Sequence, residues 1–327
     1  MNVKIIIMIA NLYSKFEIRL LLLISITLFA ILFAVSAAKG AAPGPADLMV
    51  IDPASNVWRM QAADTKGGFS AYRMGTQEDI KLPADYDGDG NTDIAVWNSS
   101  TGIWSILRTS DGATLNIRWG QTTPYFTGGI EDIPVPADFD GDKIADLAVW
   151  RPADGRWYVL TSRSGFTGST VAEWGLIGDV PIPADYDGDG RADAAVFRSM
   201  QNRWYIAESK TGTLSVRDFG IAGTDLLVPA DYTGDGTADL AVFRSGVWYT
   251  QELNSGETDR FEFGFADSVP VPADYDGDGT TDFAVYRGGI WYFQESGTGR
   301  LRSVKFGKKN EVPLTSLSVK PSMVAVR

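Results

Sequence analysis

The 327-residue chain has no cysteine and no histidine. Without cysteine there is no disulfide framework, no thiol nucleophile and no lipid attached to an N-terminal Cys. Without histidine the usual general base, every Ser-His-Asp arrangement and the commonest zinc ligand are missing too. Cationic residues are few: 29 Lys and Arg stand against 41 Asp and Glu, for a net charge of −12. That balance argues against nucleic acid and anionic membrane surfaces as partners. One long apolar run is present, Leu20 to Val35, preceded by Lys4, Lys15 and Arg19 and followed by Ser36, Ala37 and Ala38. This is the order of a secretory signal peptide over residues 1–38, and it predicts a secreted, periplasmic or cell-surface protein. The alternative is an uncleaved anchor, since Ile5 to Ala10 are also apolar and the run extends to nearly the length of a membrane span. Residues 1–38 carry a net +2, so their removal from −12 leaves −14 on the mature chain.

The acidic excess is concentrated. The segment Asp185-Tyr-Asp-Gly-Asp-Gly-Arg-Ala-Asp193 places carboxylates at its positions one, three, five and nine. So many like charges are tolerable only in solvent or around a hard, oxygen-seeking cation, and the spacing one-three-five is that of the first half of an EF-hand loop. Calcium is the expected ion, with Asp193 closing the set in place of the later EF-hand glutamate and Arg191 offering its carbonyl at position seven. Near-copies recur at Asp85, Asp87, Asp89, Asn91 and Asp93; at Asp138, Asp140, Asp142, Ile144 and Asp146; at Asp231, Thr233, Asp235, Thr237 and Asp239; and at Asp274, Asp276, Asp278, Thr280 and Asp282. The five loops hold 19 of the 41 acidic residues, so up to five structural calcium ions would sit where the charge excess lies. Two copies depart from the pattern. Thr233 puts a hydroxyl where a carboxylate belongs, which predicts the weakest site, and Lys143 replaces a glycine at position six, where a left-handed backbone costs a side-chain-bearing residue ~1 kcal/mol.

The loops begin 53, 47, 46 and 43 residues apart. Such a period, with about four short apolar runs per unit, is that of a β-propeller blade. In each unit a proline-containing first strand such as Val180–Ala184 enters the acidic loop, and a second strand such as Asp193–Phe197 leaves it. A third strand, Arg203–Ile206, carries a tryptophan, and a fourth ends in the pair Phe219-Gly220. The prolines place the first strand at a sheet edge, and the second, apolar on both faces, is expected between neighbouring blades. Third-strand tryptophans (58, 104, 157, 204, 248 and 291) and fourth-strand ends (Met74-Gly75, Trp119-Gly120, Trp174-Gly175, Phe219-Gly220, Phe263-Gly264 and Phe306-Gly307) both count six blades. The domain, residues 46–327 after a linker at 39–45, is therefore expected to be an all-β, six-bladed propeller. Glu311-Val-Pro-Leu314 serves as the first strand of the N-terminal blade and closes the ring. Ser322 to Arg327 resembles a further second strand, and a degenerate seventh blade is the alternative.

Acidic loops followed by an Ala-Val strand and closed by Phe-Gly ends resemble the FG-GAP or VCBS-type repeats of integrin-α-like propellers. The resemblance implies calcium in the loop between the first and second strands, at the five loops named above. It implies none in the closing segment Thr315 to Pro321, which has no acidic residue. It leaves the ligand open, because one fold serves many functions. The expected function is an exported, non-enzymatic binding or adhesion module for a protein or glycan at the cell surface or outside the cell. The alternatives are a calcium-dependent lectin and a polysaccharide lyase or hydrolase. Enzyme chemistry is disfavoured because the clustered carboxylates all repeat, whereas a catalytic site is a singular departure. The candidate ligand site is an insertion with Tyr125 and Phe126: Gly120 to Pro134 takes 14 residues, against six or seven elsewhere. Arg151, Arg198, Arg244 and Arg287, with Asn98 in the first copy, allow two readings: a basic ring for anionic sugars, or partners for neighbouring carbonyls and carboxylates between blades.

Overall fold

The computed structural model describes residues 45–61, 68–120 and 131–315. The expected signal peptide, the Tyr125-Phe126 insertion and the run Ser322 to Arg327 lie outside them. The described strands form six four-stranded antiparallel sheets, with no helix among the described residues. Blade 1 holds β1 (Leu48–Asp52), β2 (Val57–Gln61) and β3 (Ser70–Arg73); blade 2 holds β4 (Ile80–Lys81), β5 (Ile94–Asn98), β6 (Ile103–Leu107) and β7 (Thr114–Arg118). Blade 3 is β8 (Ile133–Pro134), β9 (Leu147–Arg151), β10 (Arg156–Leu160) and β11 (Ser169–Glu173); blade 4 is β12 (Val180–Pro181), β13 (Ala194–Arg198), β14 (Arg203–Ala207) and β15 (Leu214–Asp218). Blade 5 is β16 (Leu226–Leu227), β17 (Leu240–Arg244), β18 (Val247–Gln251) and β19 (Thr258–Glu262). Blade 6 is β20 (Val269–Pro270), β21 (Phe283–Arg287), β22 (Ile290–Gln294) and β23 (Leu301–Lys305), after which β24 (Val312–Leu314) pairs antiparallel with β1 and completes blade 1. The molecule is a six-bladed β-propeller closed by its C-terminal strand.

The first strands are shorter than the sequence suggests. In blade 4 only Val180 and Pro181 form a ladder; beyond them the Ile182 amide donates to Ala195 O (2.8 Å), and a single bridge pairs Ala184 with Asp193. Proline explains this. At alternate positions 181 and 183 its nitrogen faces away from β13, so the bonds to the one neighbour survive and no strand can add on the other side.

The second strand meets hydrophobic partners on both faces. Val196 packs with Trp150, Trp157 and Val159 of blade 3, while Ala195 and Phe197 pack with Trp204 and with Leu240 and Val242 of blade 5. Alternation, which a one-sided sheet would show, is absent there for that reason. It returns on β14, where Trp204 and Ile206 are buried and Tyr205 is half-buried, and the outermost β11 is exposed throughout.

The two features that count blades are bonded to each other. Each third-strand indole N–H donates to the carbonyl of the residue before the terminal glycine: Trp58 to Met74 (3.0 Å), Trp104 to Trp119 (3.1 Å), Trp157 to Trp174 (2.8 Å), Trp204 to Phe219 (3.0 Å), Trp248 to Phe263 (2.9 Å) and Trp291 to Phe306 (2.9 Å). The glycine that follows has a positive φ, 106° at Gly175, and a Cβ there would lie 3.1 Å from Val196 of the next blade. Only glycine satisfies both the turn and the blade spacing.

Candidate metal centres

All five acidic loops lie between first and second strands, and the turn is built around their first carboxylate. In blade 4, Asp185 Oδ1 accepts the amides of Gly188 (2.7 Å) and Asp189 (3.2 Å), and Oδ2 accepts that of Gly190 (2.8 Å). Asp193 is fully buried; it accepts the amide of Tyr186 (2.8 Å) and, from the turn after β14, that of Ser209 (2.6 Å). Asp187 accepts the Lys210 amide (2.9 Å). The backbone thus holds three carboxylates against one another. One oxygen each of Asp185, Asp187 and Asp193 lies within 4.8 Å of the others, and the same holds for Asp85, Asp87 and Asp93; Asp138, Asp140 and Asp146; and Asp274, Asp276 and Asp282.

Positions five and seven have a different place in the loop. Asp89, Asp142, Asp189 and Asp278 stand outside these three-carboxylate groups; each instead accepts the position-seven amide, from Asn91 (2.7 Å), Ile144 (3.0 Å), Arg191 (2.9 Å) and Thr280 (2.8 Å) respectively. Asp142 and Asp278 also accept the hydroxyls of Ser162 and Ser296. The fourth loop keeps the turn, with Asp231 accepting the amides of Gly234 (2.6 Å) and Gly236 (2.8 Å), but Thr233 leaves it short of a third carboxylate at positions one, three and nine. Asp235 accepts the Thr237 amide at 2.8 Å, and the Thr237 hydroxyl also donates to it. Lys143 adopts the glycine conformation, φ 69°, and its amide reaches Asp138 Oδ2 at 2.6 Å, so the second loop keeps its geometry.

Electrostatics show what these groups lack. Burial pushes the carboxyls of Asp93, Asp146, Asp193 and Asp239 up to about 6, and Asp282 is raised for the same reason. Burial, then the neighbouring Asp142, raises Asp140, whose two oxygens are buried without a hydrogen-bond donor. Asp239 Oδ1 is in the same state. Asp140 has only the exposed guanidinium of Arg163 at 3.7 Å to offset its charge, and buried carboxylate oxygens so poorly compensated are costly. A hard divalent cation fits this all-oxygen donor set, and nitrogen or sulfur donors are absent from it.

The loops are also linked in series. The amides of Ala145, Ala192, Ala238, Thr281 and Ala46 donate to the carbonyls of Asp85, Asp138, Asp185, Asp231 and Asp274 in the preceding blade, at 2.6 to 2.8 Å. A loop's position-eight amide is thereby tied to the first carboxylate residue of its neighbour.

The recurring arginines are engaged internally. Arg151, Arg198 and Arg244 each make two-pronged bonds to Asp132, Asp179 and Asp225, and Arg287 pairs with Asp267 at 2.8 Å; Asn98 bonds Asp79 at 2.6 Å. Three of the guanidinium groups also lie over third-strand rings, Tyr158, Tyr205 and Tyr249. The expected pairing with carboxylates is observed, but within each blade, from the residue ahead of the first strand to the end of the second, and not between blades. The aspartates themselves carry a signal the motifs did not expose: an acidic residue directly before the first strand, 19 residues ahead of the arginine, as Asp132, Asp179 and Asp225.

The FG-GAP-like repeat family matches residues 85–149, 138–196 and 185–242. No curated protein matches the chain in sequence. Among solved structures, TolB from Acinetobacter baumannii is similar with a TM-score of 0.52 at 15% identity, covering 87% of this chain and 70% of that one. Virginiamycin B lyase from Staphylococcus aureus gives 0.49 at 10% identity, covering 83% and 87%. At 15% identity the likeness to TolB extends to the fold alone. The consecutive matches fall on the acidic loops and second strands described above, and the chain carries FG-GAP-like repeats over residues 85–242 within a six-bladed β-propeller.

Proposed function

We propose that this protein is an exported, non-enzymatic binding or adhesion module whose loops hold structural calcium and whose partner is a protein or glycan outside the cell. The observation that carries the reading is the fourfold recurrence of three mutually close carboxylates, one fully buried, between first and second strands. An ion there would tie the loop's start to its end and so fix the first strand against the second. Extracellular modules of this kind bind calcium in the ~10⁻⁴ to 10⁻³ M range. The carboxylates repeat from blade to blade, which suits a structural role and gives no singular acid–base pair. Export is supported by the order of charge, apolar run and small residues over 1–38.

The test is thermal unfolding of residues 39–327 with a chelator, with millimolar calcium and with magnesium as control, alongside calorimetric titration. The expected result is a calcium-specific rise in midpoint with four or five sites. An unchanged midpoint would remove the metal from the proposal. Glycan-array binding in calcium would favour the lectin over a protein adhesin.

A further inference from the structure

A groove of about 390 Å³ opens where blades 4 and 5 meet, lined among others by Tyr186, Ile206, Glu208, Lys210, Ser215 and Arg217. Blade 6 shows how the same corner is filled when it is closed. There Arg302 faces Phe293 across the β22–β23 ladder; its guanidinium lies over the Phe293 ring (4.2 Å), pairs with Glu295 (2.9 Å) and donates to the carbonyl of Tyr275 (3.1 Å). Blade 4 keeps the receiving groups in the same places. Tyr186 matches Tyr275 as the loop's second residue, Ile206 matches Phe293 as the platform, and Glu208 matches Glu295 as the residue after the third strand. Both glutamates even accept the hydroxyl of the threonine three residues on, Thr211 (2.8 Å) and Thr298 (2.9 Å). Beyond the isoleucine in place of phenylalanine, the difference is the arginine. At the register position of Arg302, opposite Ile206, blade 4 has Ser215, and Glu208 forms no ion pair among the described residues. Blade 5, the third with a glutamate here (Glu252), has Asp259 at that position.

We infer that this groove is a receptor for a guanidinium group supplied from outside, the arginine side chain of a partner protein. The arginine would pair with Glu208 and bond the Tyr186 carbonyl, as Arg302 does within blade 6, with the fully buried Ile206 beneath rather than in open contact. A planar guanidinium suits this better than an ammonium, because it offers parallel donors to a carboxylate and a further donor to the carbonyl. Lys210 and Arg217 also line the groove, so a segment rich in further cations is disfavoured. This deepens the binding-module reading by naming the partner's chemistry, and it does not depend on the identity of the metal.

The experiment is titration of the calcium-supplemented protein with the peptide acetyl-Gly-Arg-Gly-amide, read by NMR shifts, with lysine and citrulline versions as controls. Saturable binding of the arginine peptide is expected, at least tenfold tighter than the citrulline version. Ser215→Arg supplies the missing side chain from within and should abolish binding while leaving the unfolding midpoint unchanged or higher. Glu208→Gln, a second variant at an incompletely buried position, should weaken binding about tenfold. Absence of saturable binding to the natural chain, or unchanged binding in both variants, overturns the proposal. If another ligand from the glycan array binds and Ser215→Arg leaves that binding intact, the groove assignment falls and the binding-module reading stands.

Discussion

At Asp140, charge and burial oppose each other. Both oxygens are buried beside the other carboxylates of the second loop, and the exposed Arg163 reaches only to 3.7 Å of one of them. Asp140→Asn removes a buried anion, so the metal-free protein should gain about 1 kcal/mol, whereas the calcium-loaded protein should lose a site and become less stable than the natural chain. Urea unfolding in chelator and in calcium measures both; a variant weaker in both states would mean that the carboxylate serves an internal partner. The position-nine aspartates set the pH dependence. Their folded values near 6 lie above the ordinary value of about 4. Between these values the folded metal-free protein holds protons that the unfolded chain has lost. Its stability is therefore greatest at the acid end and falls as pH rises from about 4 through 6. Calcium requires the ionised carboxylates, so its stabilisation should be small at pH 5 and complete above pH 7. Unfolding midpoints across that range, with and without calcium, check the sign; a metal-free midpoint that rises with pH contradicts it.

Within a blade, the acidic residue ahead of the first strand and the arginine that ends the second form a staple whose burial decides its energy. Asp179 is 2% exposed and makes two bonds to Arg198, while Asp218, 65% exposed, makes two to Arg203. Asp179→Ala strands a partly buried guanidinium and should cost about 3 kcal/mol. Asp218→Ala breaks a solvated, salt-screened pair and should leave the midpoint nearly unmoved. Denaturant midpoints of the two variants compare them directly, and equal costs would refute the distinction. The staple also shows where sequence reading stopped. Blade number, strand order and the acidic loops were legible because each rests on local chemistry repeated in register: proline at an edge, tryptophan on the third strand, glycine after an aromatic. The convergence of positions one, three and nine, with position five turned to the Asn91, Ile144, Arg191 and Thr280 amides, was not legible. It is set by amides such as that of Ser209, donated from a turn 16 residues beyond Asp193. The Glu208 groove was hidden for a similar reason, since Ser215 acquires meaning only once the β-ladder places it where blade 6 has Arg302.

The whole ring depends on one short strand. β24 offers three residues to β1, pairing Met49 with Leu314, Val50 with Pro313 and Ile51 with Val312, and Glu311 adds an ion pair to Arg59 on β2. Every other blade is continuous in sequence, so blade 1 alone is held by groups about 250 residues apart, and opening there would expose the buried edge of β1. The absence of cysteine makes a clean test possible. Val50 and Pro313 form a non-hydrogen-bonded antiparallel pair, because Pro313 has no amide to donate, and such pairs bring Cα atoms to about 4.5 Å, within disulfide range. A disulfide from Val50→Cys with Pro313→Cys would close a loop longer than 250 residues. Chain entropy alone gives about 5 kcal/mol for that length, and roughly 3 kcal/mol should remain after strain in the cross-link, the lost valine burial being common to both redox forms. The oxidised protein should then unfold about 5 °C above its reduced form. If both forms unfold at the same temperature, unfolding starts in another blade and closure at β1 does not limit the ring.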